Sequence, residues 1–221
     1  AQIRTHYPRS LEQELAIVEQ EYARFPDAAQ QVTVPQYMKE VIGEITRLAR
    51  RSPDVSQRSG VSLRVSISNY ETLLGSAFKR GLRLREPASP RVSDLPAIVA
   101  STCGKIELES AEDGREARVV EALINSAVLQ VFDSLFGGED MKGIVASFDK
   151  GLVVEVGNET PSAAYEDQAP RIGNLCELIG RIEPDKSAPA VASAMELILE
   201  GLHLSRKLNR ESVQGKYVYR R

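Results

Sequence analysis

Several residue types are scarce in this 221-residue sequence. It contains no tryptophan, and aromatic residues make up only 5% of it. A hydrophobic core therefore has to be built from leucine, isoleucine, valine and alanine, a composition that favours helices. The two cysteines, Cys103 and Cys176, lie far apart in apolar contexts. We expect buried free thiols in a reducing cytoplasm, with a single disulfide as the alternative.

Motifs for catalysis and metal binding are missing as well. No Gly-x-x-x-x-Gly-Lys-[Ser/Thr] loop is present to cradle phosphates, and no apolar run ends in an acidic pair that would hold magnesium. No Gly-x-Ser-x-Gly nucleophile motif occurs, and His6 and His203 have no partners at ligand spacing. The sequence therefore predicts no catalytic residue and no metal ligand, and this chain alone is not expected to hydrolyse ATP.

The charged residues show no strong bias. The formal net charge is −3, which argues against a general nucleic-acid-binding surface. We interpret the basic runs Arg47–Arg51 and Lys79–Arg85 as solvated faces or helix ends, and the acidic residues Glu12, Glu14, Glu19 and Glu21 likewise. No stretch reaches the length of a transmembrane helix, and no basic-then-apolar signal begins the sequence. A cytoplasmic location is the expectation.

Apolar spacing predicts a mainly α-helical fold. Three amphipathic helices in the first part of the chain can bury one common core, and Glu86–Pro90 is the best candidate for a linker. The strongest helical pattern runs from Arg115 to Phe136. A β-hairpin is predicted over 144–156, followed by helices near 172–179 and 187–208 and a short extended tail.

One turn separates the second and third predicted helices and carries the best candidate site. The segment from Gln57 to Glu71 places Arg58, Gly60, Ser62 and Arg64 immediately before a helical apolar pattern. An arginine at a helix start is well placed to bind an anion such as a phosphate, because the helix N-terminus adds free N–H groups and partial positive charge. A surface turn with a good N-cap explains the composition equally simply.

The turn resembles a known motif. Gly60-x-Ser62-x-Arg64, followed by a helix, is similar to the sensor-2 motif in the lid of AAA+ ATPases of the MoxR and magnesium-chelatase-subunit-I groups. The segment Ile3–Pro8, leading into Ser10–Leu15, resembles the last core strand of such an ATPase running into the first lid helix. Beyond the Glu86–Pro90 linker the chain is similar only to the helical C-terminal extension of chelatase-like members. MoxR-type motifs usually place proline where this chain has Leu63.

The resemblance implies a domain organisation. Residues 1–9 would end the ATPase core with its last strand, and 10–86 would form the AAA+ lid bundle with the sensor-2 motif. Residues 87–221 would form a second helical domain that contains the hairpin at 144–156. The phosphate-binding loop would then lie upstream of Ala1, in a longer protein.

The resemblance also implies a function. Arg64 would reach the outer phosphates of ATP, with Arg58 as a less certain neighbour, while ATP and magnesium would be held mainly by the upstream core. The protein would assemble into a ring with itself, as a hexamer, and couple ATP binding and hydrolysis to remodelling or assembly of a client protein. Two other interpretations stay open from the residues alone: a helical protein–protein interaction module without a nucleotide role, and a nucleic-acid binder that uses the two basic runs.

Overall fold

Helices dominate the computed structural model, which describes residues 6–22, 32–109, 114–213 and 215–221. Within these residues there are nine α-helices, two 3-10 helices and three strands. The α-helices are α1 Leu11–Tyr22, α2 Gln36–Ala49, α3 Arg64–Leu84, α4 Ile98–Thr102, α5 Arg115–Phe136, α6 Lys142–Asp149, α7 Ser162–Gln168, α8 Leu175–Ile182 and α9 Ala188–Leu204. The 3-10 helices are Val92–Ala97 and Ala169–Arg171, and the strands are β1 Val154–Gly157, β2 Asn209–Val213 and β3 Lys216–Arg220. The predicted mainly α-helical class is confirmed.

The first three helices pack against one another. The Ser10 hydroxyl accepts the N–H of Gln13 at 3.2 Å at the start of α1, and Pro35 directly precedes α2. Helix α3 ends at Arg85, which adopts a left-handed conformation with φ of 56°. All three pairs among α1, α2 and α3 are in contact, so the predicted three-helix core is present. The predicted strand before Pro8 falls mostly on residues 1–5, outside the described part, and His6 and Tyr7 are not in a strand.

Helix α5 lies at the centre of the molecule. Its apolar residues keep helical spacing from Val119 to Phe136 and pack mainly against α2 and α9. The approach to α9 is close, because a Cβ atom added at Gly201 would lie 2.2 Å from the ring of Phe132. By length and composition alone α5 could cross a membrane, contrary to our expectation that no stretch reaches that length. Burial of its apolar face in the core accounts for the same composition.

The β-hairpin predicted over 144–156 is wrong. Residues 142–149 form helix α6, which buries Ile144 and Phe148 one helical turn apart. Only 154–157 is a strand, and its partner is β3, where Val154 pairs with Tyr219. Ile144 and Phe148 are four residues apart, so a helix places both on one buried face, and this stabilises the helix more than the alternating apolar pattern stabilises a strand. The strand 154–157 pairs instead with β3, far along the chain.

The three strands form an antiparallel sheet in the order β1-β3-β2. Strand β3 is therefore central, and it corresponds to the tail that we predicted to be extended. Its Tyr219 is fully buried and donates a hydrogen bond at 2.6 Å to Glu200 of α9. The sheet is thereby tied to the longest C-terminal helix.

The segment that we predicted to be a linker is largely buried. Ala88 and Ser89 are 5% and 2% exposed, and the carbonyl of Pro90 accepts a hydrogen bond at 2.5 Å from Ser193. Residues on both sides of this segment belong to one hydrophobic core, in which α2 packs against α5. The division into 10–86 and 87–221 stays a prediction about folding units, but no gap in the packing marks it.

A buried ionic network surrounds this segment. Arg80 of α3 donates to Asp94 at 2.9 Å and to the carbonyl of Ser89 at 2.7 Å. Arg91, which is fully buried, donates to Glu86 at 3.2 Å. The run Lys79–Arg85, interpreted as a solvated face or a helix end, lies at the end of α3, but its Arg80 is only 2% exposed. Buried charges need such partners, since an unpaired charge in the core costs several kcal/mol.

Glu196 of α9 completes the network from the other side. Its carboxylate accepts hydrogen bonds from Tyr165 at 2.5 Å and from the backbone N–H of Ser93 at 2.7 Å. Glu196 is fully buried, and burial raises its pKa above the ordinary value of 4.5 despite the opposing charge of Arg91. The folded protein therefore retains the Glu196 proton to a higher pH than the unfolded chain does.

We expect Glu196 to make stability depend on pH with a definite sign. Above pH 4.5 the folded state binds more protons at this site than the unfolded state, so its contribution to stability falls as pH rises through the folded pKa. Glu196→Gln removes this titration. The free energy of unfolding of wild type minus that of Glu196→Gln should therefore decrease as pH rises above 4.5, as measured by urea denaturation. A difference that is constant or grows over that range contradicts the assignment.

Candidate functional site

The candidate site is the turn that joins α2 to α3. The N–H of Gly60 donates to the carbonyl of Ser56 at 3.2 Å, which closes the turn. Gly60 has φ of 68°, and a Cβ there would lie 2.5 Å from the Tyr7 hydroxyl. Glycine is therefore required on two grounds, conformation and space. Arg58 lies in this turn, and Arg64 is the first residue of α3.

Both arginines are exposed. Neither side chain forms an ion pair or hydrogen bond with any other residue in the part of the chain that the structure describes. The first turn of α3 carries no acidic residue that would compete for an incoming anion. The backbone N–H of Arg64 donates to the Ser62 hydroxyl at 3.2 Å, which orders the start of the helix. The turn therefore presents two uncommitted guanidinium groups beside a helix N-terminus.

Tyr7 and Arg50 hold the backbone of this turn in place. The Tyr7 hydroxyl accepts the N–H of Val61 at 3.1 Å, and Arg50 Nε donates to the carbonyl of the same residue at 3.1 Å. The Arg50 guanidinium also lies 4.4 Å from the centre of the Tyr7 ring. Both backbone groups of Val61 are thus fixed by side chains from other elements. We call Tyr7, Glu14, Arg50 and Ser66 the clamp.

A buried carboxylate orients Arg50 within the clamp. Glu14 accepts two hydrogen bonds from Arg50, at 2.6 and 3.3 Å, and one from Ser66 at 2.6 Å. Its side chain is 1% exposed and that of Arg50 is 10% exposed. A bidentate pair of this kind fixes the guanidinium plane, which in turn fixes Val61.

The clamp corrects two expectations from the sequence. Glu14 was predicted to be solvated, which is wrong. The basic run Arg47–Arg51 was interpreted as a solvated face or a helix end; it does lie at the end of α2, but Arg50 within it is largely buried. The signal for Glu14 was present, since it shares a helical face with Leu11, Leu15 and Val18. The signal for Arg50 was absent, because its partner lies 36 residues away in the sequence.

The other side of the turn is held by the segment before α5. The N–H of Ser56 donates to the carbonyl of Glu107 at 2.7 Å, and Val55 pairs with Leu108 in an antiparallel bridge. The Ser59 hydroxyl also hydrogen-bonds the Glu107 carboxylate. The Gly104–Glu109 segment supplies isolated bridges rather than a regular element.

An open groove runs beside the turn. Its walls include Tyr7, Pro8, Ile17, Ser62 and Leu63, and its volume is about 790 Å³. Tyr7 is 49% exposed and Ile17 is 37% exposed, although both are large apolar side chains. Exposed apolar residues that converge on one groove are typical of a surface that meets a ligand or another chain.

No three His, Cys, Asp or Glu side chains among residues 6–22, 32–109, 114–213 and 215–221 converge as a metal site. Both cysteines are free; Cys176 is exposed, contrary to the expectation of burial, and Cys103 is half-buried. Burial raises the pKa of the Cys103 thiol, which lowers its reactivity.

Comparisons with protein-family models, with curated proteins and with solved structures gave no match for this chain. The geometry of the turn, the clamp and the groove is therefore the basis for a functional conclusion.

We expect the Glu14–Arg50 pair to be a large term in stability. Glu14→Gln leaves the guanidinium of Arg50 largely buried without its counter-charge, which should lower the free energy of unfolding by about 3–5 kcal/mol. Urea denaturation measures this change. Glu12→Gln on the exposed face of the same helix is the matched control and should change stability by less than about 0.5 kcal/mol. Equal effects of the two substitutions would contradict the role of the clamp.

Proposed function

We propose that this chain is the lid and C-terminal region of an AAA+ ATPase similar to magnesium chelatase subunit I and MoxR. Arg64 contacts the outer phosphates of ATP, with Arg58 as a second contact. ATP and magnesium are held mainly by a core that precedes this chain. The protein assembles with itself into a ring, and ATP binding and hydrolysis drive the remodelling or assembly of a partner protein.

The position of Arg64 is the observation that carries this proposal. It is exposed, it begins a helix of 21 residues, and its side chain has no ion-pair partner within the described residues. A guanidinium in this position adds its own charge to that of the helix N-terminus. The phosphates of ATP are anions that match both features.

The clamp supports the proposal by making the turn rigid. Electrostatic stabilisation of a phosphoryl group is effective when the charged donor is held in place before the ligand arrives. Val61 is fixed by Tyr7 and Arg50, only three residues before Arg64.

Helix α3 supplies a route from the turn to the rest of the chain. At about 1.5 Å per residue its 21 residues span about 31 Å. At its far end Arg80 is paired with Asp94, and Arg83 donates to the carbonyl of Asn158 at 2.7 Å. A shift of Arg64 toward phosphate would therefore move the C-terminal part as well, as expected of a lid that converts nucleotide state into rigid-body motion.

The groove beside the turn supports a contact with another surface. The exposed Tyr7 and Ile17 would be covered when the lid meets the ATP-bearing core. The same exposed side chains favour the second candidate function, a helical protein–protein interaction module without a nucleotide role. That candidate leaves the uncommitted arginines at the helix start without a role.

The test uses the complete gene product. Arg64→Ala should lower its ATPase rate by about 100-fold, because a positioned donor to a charged transition state is lost. Arg64→Lys should retain part of the rate, since it keeps the charge without the planar fork. Arg171→Ala, another exposed arginine at the end of a short helix, is the control and should leave the rate unchanged.

Two outcomes would overturn the proposal. An ATPase rate that is the same in Arg64→Ala and in wild type removes the nucleotide role of this turn. A gene product that has no phosphate-binding loop and no ATPase activity removes the nucleotide role altogether. Either result leaves the interaction module as the better account of the groove.

A further inference from the structure

A second cavity lies far from the turn, between α5, α9, the first 3-10 helix and the sheet. Its volume is about 250 Å³. One part of its wall is apolar and comprises Val92, Leu95, Pro96, Val99, Ile124 and Val128. The other part is polar and comprises Glu121, Asn125, Glu200, Arg210 and Tyr217. An apolar pocket with a few converging polar groups is the usual form of a small-molecule site.

An ion pair forms one side of the cavity. Arg210 of β2 donates to Glu200 of α9 at 2.6 Å, and the second oxygen of Glu200 accepts from Tyr219. The Arg210 guanidinium lies 4.6 Å from the centre of the Tyr217 ring. Glu200 is 1% exposed and lies in the most apolar helix of the chain. Placing a charge there costs free energy that an apolar residue would not cost, which points to a role beyond packing.

Polar groups around the cavity have donors and acceptors that no described protein group uses. Arg210 uses one of its nitrogen atoms for Glu200, and its other N–H groups meet no acceptor among residues of the described part. Glu121 and Asn125, one turn apart on α5, have no hydrogen-bond or ion-pair partner there either. The cavity thus offers unused donors on the β2 side and an unused carboxylate on the α5 side.

We propose that this cavity binds a small zwitterion with a short aliphatic body, of the α-amino acid class. The N–H groups of Arg210 that Glu200 does not use donate two parallel hydrogen bonds to the ligand carboxylate, and the Asn125 amide donates another. Glu121 receives the ammonium group, and the apolar wall covers the aliphatic side chain. The volume suits a ligand of about eight non-hydrogen atoms, since a water molecule occupies about 30 Å³.

The charge around the cavity selects a zwitterion over a simple anion. Arg210 is already neutralised by Glu200, so Glu121 leaves the cavity with one net negative charge. An anion alone would meet Glu121 without compensation, and a cation alone would leave the Arg210 donors unused. Only a ligand with both charges satisfies both groups.

The test titrates the folded chain with three related probes. L-Valine has eight non-hydrogen atoms, 3-methylbutanoate lacks its ammonium group, and 2-methylpropylamine lacks its carboxylate. We expect L-valine to bind, with side-chain NMR shifts at Asn125 and Arg210, and each single-charge probe to bind at least tenfold more weakly. Equal binding of all three probes, or no binding of L-valine, overturns the proposal.

Variants locate the binding. Glu121 is exposed, so Glu121→Gln is not expected to disturb the fold. The substitution should weaken L-valine binding at least tenfold. Asp133→Asn is the matched control, since Asp133 is exposed on the same helix and does not line the cavity. Arg210→Lys keeps the positive charge beside Glu200 but loses the paired N–H groups of the guanidinium, so it should also weaken L-valine binding. L-Valine binding that is equal in Glu121→Gln and Asp133→Asn overturns the assignment to this cavity.

Discussion

Paired burial of opposite charges is the constraint on which the rest of this structure depends. Glu14 of α1 meets Arg50, Arg80 of α3 meets Asp94, and Glu200 of α9 meets Arg210. In each pair the partners come from different elements, so every pair specifies how two elements dock. Hydrophobic packing alone would tolerate small slips of one helix along another, whereas a charge pair does not.

The buried pairs stabilise the core, whereas the arginines of the candidate site remain unpaired at the surface. The first pair lies directly beneath the turn that carries Arg58 and Arg64, and it fixes that turn through Val61. The turn itself keeps its arginines unpaired at the surface. A site for an anion needs both conditions together, because a guanidinium that is already paired cannot bind and a turn that is loose binds poorly. The buried network thereby leaves the surface charges free for a ligand.

Local pattern was enough to predict the long helices. Helix α5 was found because its apolar residues keep helical spacing over its whole length. The short helices α6 and α7 were not predicted. The sheet was mispredicted for the opposite reason, since β1 pairs with a strand about sixty residues away and no local pattern encodes that partner. Segment 142–149 shows the same limit, where a single buried pair of Ile144 and Phe148 decides for helix.

The candidate site was predictable only in part. Gly60, Ser62 and Arg64 could be singled out because they lie close together in the sequence, and the structure gives Gly60 a left-handed φ of 68°. Glu14 could have been found from its place on the apolar face of α1. By contrast, the sequence does not distinguish Arg50 from its neighbour Arg51. The difference arises only when α1 packs against α2 and brings Glu14 to Arg50. The same holds for Arg210, whose role depends on Glu200 and on the cavity between α5, α9, the first 3-10 helix and the sheet.

Helix α3 connects the turn to the C-terminal part of the chain. One end of it carries the unpaired Arg64, and the other end carries Arg80, which is 2% exposed and held by Asp94. The helix between these two ends is continuous from Arg64 to Leu84. If the clamp were absent, a ligand at Arg64 would first have to order the turn, and the free energy of binding would be lost there. In the proposed lid, Tyr7 and Arg50 already hold Val61, so that free energy would remain for moving the helix and the residues packed against it. The buried pairs would then let contact between Arg64 and a phosphate displace the C-terminal part.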